Sequence, residues 1–112
     1  MKIENTKIQM RKGILEYCIL IILEEKEAYA SEIIASLKAS KMIVVEGTVY
    51  PLLTRLKNAE LLQYKWEESK SGPPRKYYSL TAEGAIFLIE LKNTWLGLKS
   101  AVESLTKKSK TK

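Results

Sequence analysis

The residues best equipped for chemistry lie together between Glu46 and Thr81, in the run EGTVYPLLTRLKNAELLQYKWEESKSGPPRKYYSLT. Its first half carries Thr48, Tyr50, Thr54 and Arg55 on the polar side of a helical pattern. Its second half carries Lys65, Lys70, Arg75 and Lys76 on two aromatic-rich runs joined around Gly72-Pro73-Pro74. Hydroxyls and cations in this arrangement suit recognition of phosphates and base edges. An arginine fork fits guanine or a phosphate, and Tyr50 and Thr54 would reach the groove floor or the backbone. The N–H groups that open a helix donate to a phosphate, with Thr48 beside them. Cations near a hairpin tip suit the backbone or the minor groove. Each feature has an ordinary alternative, since polar helix faces are mostly solvated surface and edge lysines protect hairpins from aggregation. A short helix followed at once by a basic hairpin, however, is the layout of a winged helix.

Periodicity supplies the elements that must hold these residues. Met10 to Glu25 reads as a first helix, apolar on nearly every face between Ile14 and Leu23 and therefore central to the core. Residues 1–9 read as a loosely ordered, flexible segment that could also extend it or swap onto a partner. Tyr29 to Ala39 reads as a second helix, with Ala30, Ile33, Ile34 and Leu37 at helical spacing. Ser40–Val45 is a connector in which Ile43-Val44-Val45 offers a brief strand. The third helix runs from about Thr48 to Glu60, with Val49, Leu52, Leu53 and Leu56 as its inward stripe. Pro51 is tolerable there because it falls in or just after the first turn. Leu62 to Glu68 reads as a strand with Leu62, Tyr64 and Trp66 on one face; Ser69 to Pro74 reads as a turn, and Arg75 to Leu80 as the return strand. The fold class is mainly α with a small β-hairpin.

Thr81 is a good N-cap for a last helix from Ala82 to about Leu105 or Thr106, with Glu83 in its first turn. Leu88, Leu91, Trp95, Leu98, Val102 and Leu105 alternate three and four residues apart, a heptad stripe. Ala85, Ile89 and Leu96 offer a second line for the body. Six large apolar residues, each worth ~1.5–3 kcal/mol when buried, will not face water. They fold back on their own domain or pair with a second copy, and a helix of ~35 Å overshoots so small a body, which favours a two-fold dimer. Trp95, mid-stripe, is either plain dimer packing or the wall of a pocket between subunits for a planar aromatic or cationic ligand. The organisation is therefore a winged helix-turn-helix over residues 1–81, a dimerisation helix over 82–106 and a basic tail over 107–112.

Composition narrows the function classes. The net charge is +6, but four lysines in the last seven residues carry much of it; without them 15 basic residues face 13 acidic ones. Affinity for nucleic acid would thus depend on placed residues more than on bulk charge. There is no histidine and one cysteine, Cys18, in an apolar run. Histidine-dependent triads are excluded, a zinc site lacks ligands, and no internal disulfide can form, which fits a reducing, cytoplasmic setting. Glu67 and Glu68 adjoin on a strand and so point to opposite faces, not toward shared acid–base work. Lys2, Lys7, Arg11 and Lys12 before an apolar run mimic a signal peptide, but Glu16 interrupts that run, which is too short to span a bilayer.

Three segments, GTVYPLLTRLKNAELL (47–62), GPPRKYYSLT (72–81) and the following AEG (82–84), resemble the PadR family of bacterial transcriptional regulators, and with the first-helix pattern the likeness covers about residues 10–105. The resemblance implies a winged helix-turn-helix homodimer that represses nearby genes. It carries over Thr48, Tyr50 and Arg55 as contacts to double-stranded DNA, with Arg75 and Lys76 in the wing. A single helix after the wing is similar to the small subfamily. Some small members bind flat drugs between paired tryptophans, and Trp95 falls at a comparable place. Family members often carry glycine and an aromatic residue after the first tyrosine of the second helix, where this chain has Tyr29-Ala30-Ser31. The expectation is a non-enzymatic, ligand-responsive repressor acting as a homodimer on a palindromic operator, without a cofactor. A winged-helix protein-interaction module without DNA binding is the alternative.

Overall fold

The structure is a computed structural model that describes residues 1–42 and 44–110, with the backbone alone at Ser109 and Lys110. Seven elements follow one another: α1 (Ile3–Glu25), β1 (Ala28–Tyr29), α2 (Ala30–Ala39), α3 (Glu46–Asn58), β2 (Leu62–Ser69), β3 (Gly72–Leu80) and α4 (Ala82–Lys110). The three strands form an antiparallel sheet in the order β1-β3-β2. This is a mainly helical winged-helix fold with a long C-terminal helix.

The core is where the helical stripes converge. Ile19, Leu20 and Leu23 of α1, Ile33 and Leu37 of α2, Val49, Leu53 and Leu56 of α3, Leu62 and Tyr78 of the sheet, and Leu88 of α4 form one buried cluster. Helices α2 and α3 both end without glycine. Lys41 (φ 68) and Glu60 (φ 64) take the left-handed conformation instead. In each case the next amide reaches back, Met42 N–H to the Leu37 carbonyl at 2.9 Å and Leu61 N–H to the Leu56 carbonyl at 3.0 Å. That closes a Schellman motif and turns Met42 and Leu61 toward the core.

Several boundaries differ from expectation for identifiable reasons. Helix α1 begins at Ile3, so residues 3–9 extend it. Val44 and Val45 form no strand, and Ile43 lies outside the described residues. The third strand is Ala28–Tyr29 instead, paired with Tyr78 and Tyr77. Helix α3 starts at Glu46 rather than Thr48, leaving Pro51 just past the first turn. The hairpin turns at Lys70-Ser71, and Gly72, Pro73 and Pro74 belong to β3. Glu67 pairs with Arg75 and Ser69 with Gly72, so both prolines oppose Glu68 alone. Residues that cannot donate to a ladder are accommodated in such a bulge.

Helix α4 opens on a tight joint. The Thr81 hydroxyl accepts the Gly84 N–H at 2.9 Å and donates to the Glu60 carbonyl at 2.7 Å, while Thr81 N–H donates to the Leu61 carbonyl at 3.1 Å. A Cβ at Gly84 would lie 2.1 Å from the Leu61 oxygen, so only glycine fits. Beyond this joint α4 runs through Lys107 and Lys108 to Lys110, where a basic tail outside the helix was expected. Its two apolar lines also exchange part of their expected roles. Leu88 is buried in its own domain and Leu91 packs against that core, whereas Ala85, Ile89 and Leu96 are exposed. The molecule measures 60 × 32 × 23 Å with a radius of gyration of 16.6 Å. A compact chain of this length would have ~13 Å, and the excess reflects helical segments that leave the body.

Candidate nucleic-acid interface

Helix α3 presents its inward stripe to α1, α2 and the sheet, which leaves Gly47, Thr48, Tyr50, Pro51, Thr54, Arg55 and Asn58 exposed. At ~100° per residue, Tyr50 and Thr54 share one edge of that face, and Thr48 and Arg55 share the other. The structure follows this division. Tyr50 and Thr54 border a cleft against the hairpin. Arg55 turns toward α1, where its guanidinium lies 3.4 Å from Glu16 while its side chain stays 71% exposed. The Thr54 hydroxyl donates to the Tyr50 carbonyl at 3.2 Å, leaving its oxygen free to accept. Thr48 sits inside the helix, its N–H bonded to the Val45 carbonyl at 2.8 Å. The helix N-terminus itself carries Glu46, whose carboxylate opposes a phosphate there.

Register decides what the wing cations can reach. Lys70 is at the turn, while Lys65, Arg75 and Lys76 lie further down the hairpin than a position near its tip, because the turn is later than expected. Lys76 pairs with Trp66 and shares its face with Tyr64 and Tyr78; its ammonium lies 4.6 Å from the Tyr64 ring centre and 5.6 Å from that of Trp66. Lys65 and Glu67 alternate onto the opposite face. There Lys65 lies 3.8 Å from Glu27 and 3.7 Å from Glu67, and over the Tyr77 ring. Lys65 is therefore turned away from α3, with its charge compensated locally.

Arg75 stands between these two settings. Its guanidinium lies 4.1 Å over the ring of Tyr29, whose hydroxyl donates to Glu67 at 2.9 Å. That bond favours the protonated phenol and raises the Tyr29 pKa. Tyr29 also caps α2, its N–H donating to Glu32 at 2.9 Å. One tyrosine thus ties the start of α2 to both strands of the wing. Among the described residues neither Arg75 nor Lys76 forms an ion pair.

The cleft between α3, the start of α2 and the wing has a volume of about 360 Å³. Tyr29, Tyr50, Trp66, Tyr78, Arg75 and Lys76 dominate its walls, and none of its lining residues is acidic. Two features here escaped sequence reasoning: Tyr29 as wing anchor, and Trp66 as a cleft residue. Trp66 shares a strand face with Leu62 and Tyr64, as alternation implies, yet where Leu62 is buried it is 61% exposed. The match between its face and that of Lys76 depends on the register, which strand patterns alone leave open.

This geometry is that of a DNA-reading winged helix, and comparison with known proteins gives it a family. Residues 19–90 match the sequence model of the transcriptional regulator PadR-like family. The chain belongs to the PadR-like family. It is similar to the crystal structure of a PadR-like transcription factor from Bacteroides fragilis, at 58% identity over 90% of this chain and 98% of that one, with a TM-score of 0.77. A PadR-like transcriptional regulator from Bacillus cereus is 39% identical over 87% of this chain and 95% of its own, with a TM-score of 0.76. An uncharacterized protein of Lysinibacillus sphaericus is 30% identical across 82% of the chain and 87% of its own length. Membership makes this chain a DNA-binding transcriptional regulator and not an enzyme. Among the described residues no helix is long and apolar enough to cross a membrane.

The other chemistry of this PadR-like chain is sparse. Cys18 is half-buried, and burial raises its thiol pKa, which disfavours the reactive thiolate. A second cavity, of about 380 Å³, lies between α1 and α4, lined by Met10, Gly13, Ile14, Tyr17, Leu91, Thr94, Trp95 and Leu98. Of the expected dimer stripe, Leu98, Val102 and Leu105 are 56%, 59% and 67% exposed.

Proposed function

We propose that this chain is a cytoplasmic, homodimeric repressor that binds a two-fold operator in double-stranded DNA. Thr54 enters the major groove with α3, Tyr50 reaches the groove edge or the adjoining backbone, Arg55 and Thr48 contact the strand on the α1 side, and Arg75 and Lys76 contact the backbone beside the wing. Lys65 contributes on that reading only if it leaves Glu27 and Glu67. The observation that carries the proposal is the acid-free cleft flanked by the recognition helix and two cations without ion-pair partners among the described residues. Dimerisation is supported by Leu98, Val102 and Leu105, three large apolar side chains on one stripe that their own domain leaves uncovered. A two-fold dimer would cover them and match half-sites about one helical turn apart. The test is fluorescence anisotropy with a duplex spanning the region upstream of the protein's own gene. Arg55→Ala and Arg75→Ala should each weaken binding, and log affinity should fall with log salt by ~0.9 per phosphate contact. Salt-independent binding, or no binding to that duplex, would refute the reading; the protein-interaction alternative makes the second outcome its own prediction.

A second element of the reading is an effector. The cavity at Trp95 is largely apolar and borders the uncovered stripe, so a planar aromatic or cationic ligand seated there would change how two copies meet. Planar cationic dyes should quench tryptophan emission in the wild type and far less in Trp95→Ala. Equal quenching in both would assign the signal to Trp66 and remove the effector site.

A further inference from the structure

Trp66 is a large aromatic residue that the core leaves exposed. Its indole is 61% exposed although it stands on a strand whose other inward residues, Leu62 and Tyr64, reach the core. It meets Tyr64 edge-to-face, at 5.9 Å and 88° between rings, and the Lys76 ammonium at 5.6 Å from its ring centre. It lies away from the α4 stripe, on the wall of the cleft that also holds Tyr50, Thr54 and Lys76. Covering an exposed indole on binding removes a large apolar area from water and is favourable.

The charges around it indicate what that is. Lys76 is oriented by the Tyr64 and Trp66 rings and has no carboxylate partner among the described residues, so an anion can take it without first breaking an ion pair. Arg55 differs, because Glu16 competes for it. The Tyr50 side chain borders the same cleft from the recognition helix and brings a hydroxyl donor.

We propose that this cleft seats one nucleotide unit of the DNA backbone, with the phosphate between Lys76 and the Tyr50 hydroxyl and the adjoining deoxyribose against the Trp66 ring. Trp66 is then a further DNA-contacting residue, and the cleft fixes the distance between the major-groove helix and the wing. The proposal rests on the DNA-binding reading above and adds a specific occupant to it. A phosphate contact and an apolar sugar contact leave different signatures. Trp66→Ala should weaken binding to the upstream duplex about tenfold with the salt slope unchanged, since it neutralises no phosphate. Lys76→Ala should weaken binding and reduce the slope by ~0.9. Trp66→Phe should retain most of the affinity while losing most of the duplex-induced change in tryptophan emission. Thermal melts of each variant check that the exposed ring is dispensable for folding, and the emission change of the wild type against Trp66→Phe reports the contact even if Trp66→Ala is unstable. Wild-type affinity in a folded Trp66→Ala, or an unaltered emission change in Trp66→Phe, overturns the proposal and leaves the DNA reading standing. Absence of wild-type binding to the duplex removes both.

Discussion

Replacing Gly84 by alanine sets two effects of opposite sign against each other. Alanine is the better helix former, worth up to ~1 kcal/mol over glycine in a helix interior, and on propensity alone Gly84→Ala should stabilise α4. The structure sets a larger cost against it. The new Cβ would stand 2.1 Å from the Leu61 oxygen and 3.0 Å from the Leu61 carbon. Ordinary C···O contacts are ~3.3 Å or more, so the helix start and the strand entry must part by about 1 Å. Neither side gives freely: the Leu61 carbonyl accepts the Thr81 N–H, Leu61 N–H is bonded to Leu56, and Gly84 N–H is bonded to the Thr81 hydroxyl. Overpacking of this kind costs ~1–3 kcal/mol or more, and loosening the joint forfeits hydrogen bonds worth ~0.5–1.5 kcal/mol each. The net expectation is a loss of about 2 kcal/mol, a fall in Tm of roughly 8 °C or more. Thermal unfolding followed by circular dichroism, at matched chain concentration because assembly shifts Tm, measures it directly. An equal or higher Tm for Gly84→Ala would show that the joint is loose and that propensity governs this turn.

Three further outcomes follow from named contacts. Glu16→Gln should tighten binding to the upstream duplex by about 1.4- to fivefold at fixed salt, because a surface ion pair worth ~0.2–1 kcal/mol no longer competes for Arg55; unchanged or weaker affinity would remove Arg55 from the interface. Tyr29→Phe keeps the ring under Arg75 and deletes the hydrogen bond to Glu67. That bond raises the folded-state pKa of Tyr29 above its ordinary 10.0, so its contribution is complete below pH 10 and lost as pH rises through the higher folded value. The wild-type advantage in urea midpoint should be flat from about pH 7 to 9 and shrink at higher pH; an advantage that persists there would contradict the assignment. Lys41→Gly should stabilise by about 0.5–1 kcal/mol, since a non-glycine residue at φ 68 costs ~1–2 kcal/mol and glycine returns only part of that through unfolded-state entropy; urea unfolding decides it, with destabilisation as the contrary result.

What the sequence made legible was whatever repeats at a fixed period close along the chain. Val49, Leu53 and Leu56 identify the buried side of α3 by spacing alone, and their complement identifies Tyr50, Thr54 and Arg55 as surface. What it hid depends on partners far away in the chain. Ala28-Tyr29 has no period of its own and becomes a strand only because Tyr77 and Tyr78 return beside it. The period placed the end of α2 at Ala39, where it lies, but ran α3 on to about Glu60 instead of Asn58, because Glu60 occupies a position where glycine is the usual signal. Pro73-Pro74 read as a loop because prolines interrupt a ladder, and a bulge opposite Glu68 removes that objection. The wing cations show the same limit within the site. Alternation separates Lys65 from Trp66, but which side faces α3 is fixed by tertiary packing, and it sends Lys65 to Glu27 and Lys76 to the cleft.

The stripe on α4 shows how a correct pattern can have two owners. A heptad repeat states that a continuous line of side chains will be covered, not by which chain. Leu88 lies on that line but is buried in its own domain, where α4 packs chiefly on α1 and β3, so it is not open to a second copy, while Leu91 packs partly against the same core. Trp95 marks the change of owner, reaching the cavity beside Met10 and Tyr17 of α1 while 39% exposed. Leu98, Val102 and Leu105 continue the line where the body has ended. A repeat fitted only to the body would have stopped near Leu91. Its continuation for two more heptads on a helix whose first turn is clamped by Thr81 and Gly84 points to a second owner held at a fixed angle to the DNA-reading face. In the proposed dimer the spacing between two recognition helices would depend on how α4 meets its partner, and a ligand at Trp95 would act on that spacing without touching the cleft at Trp66.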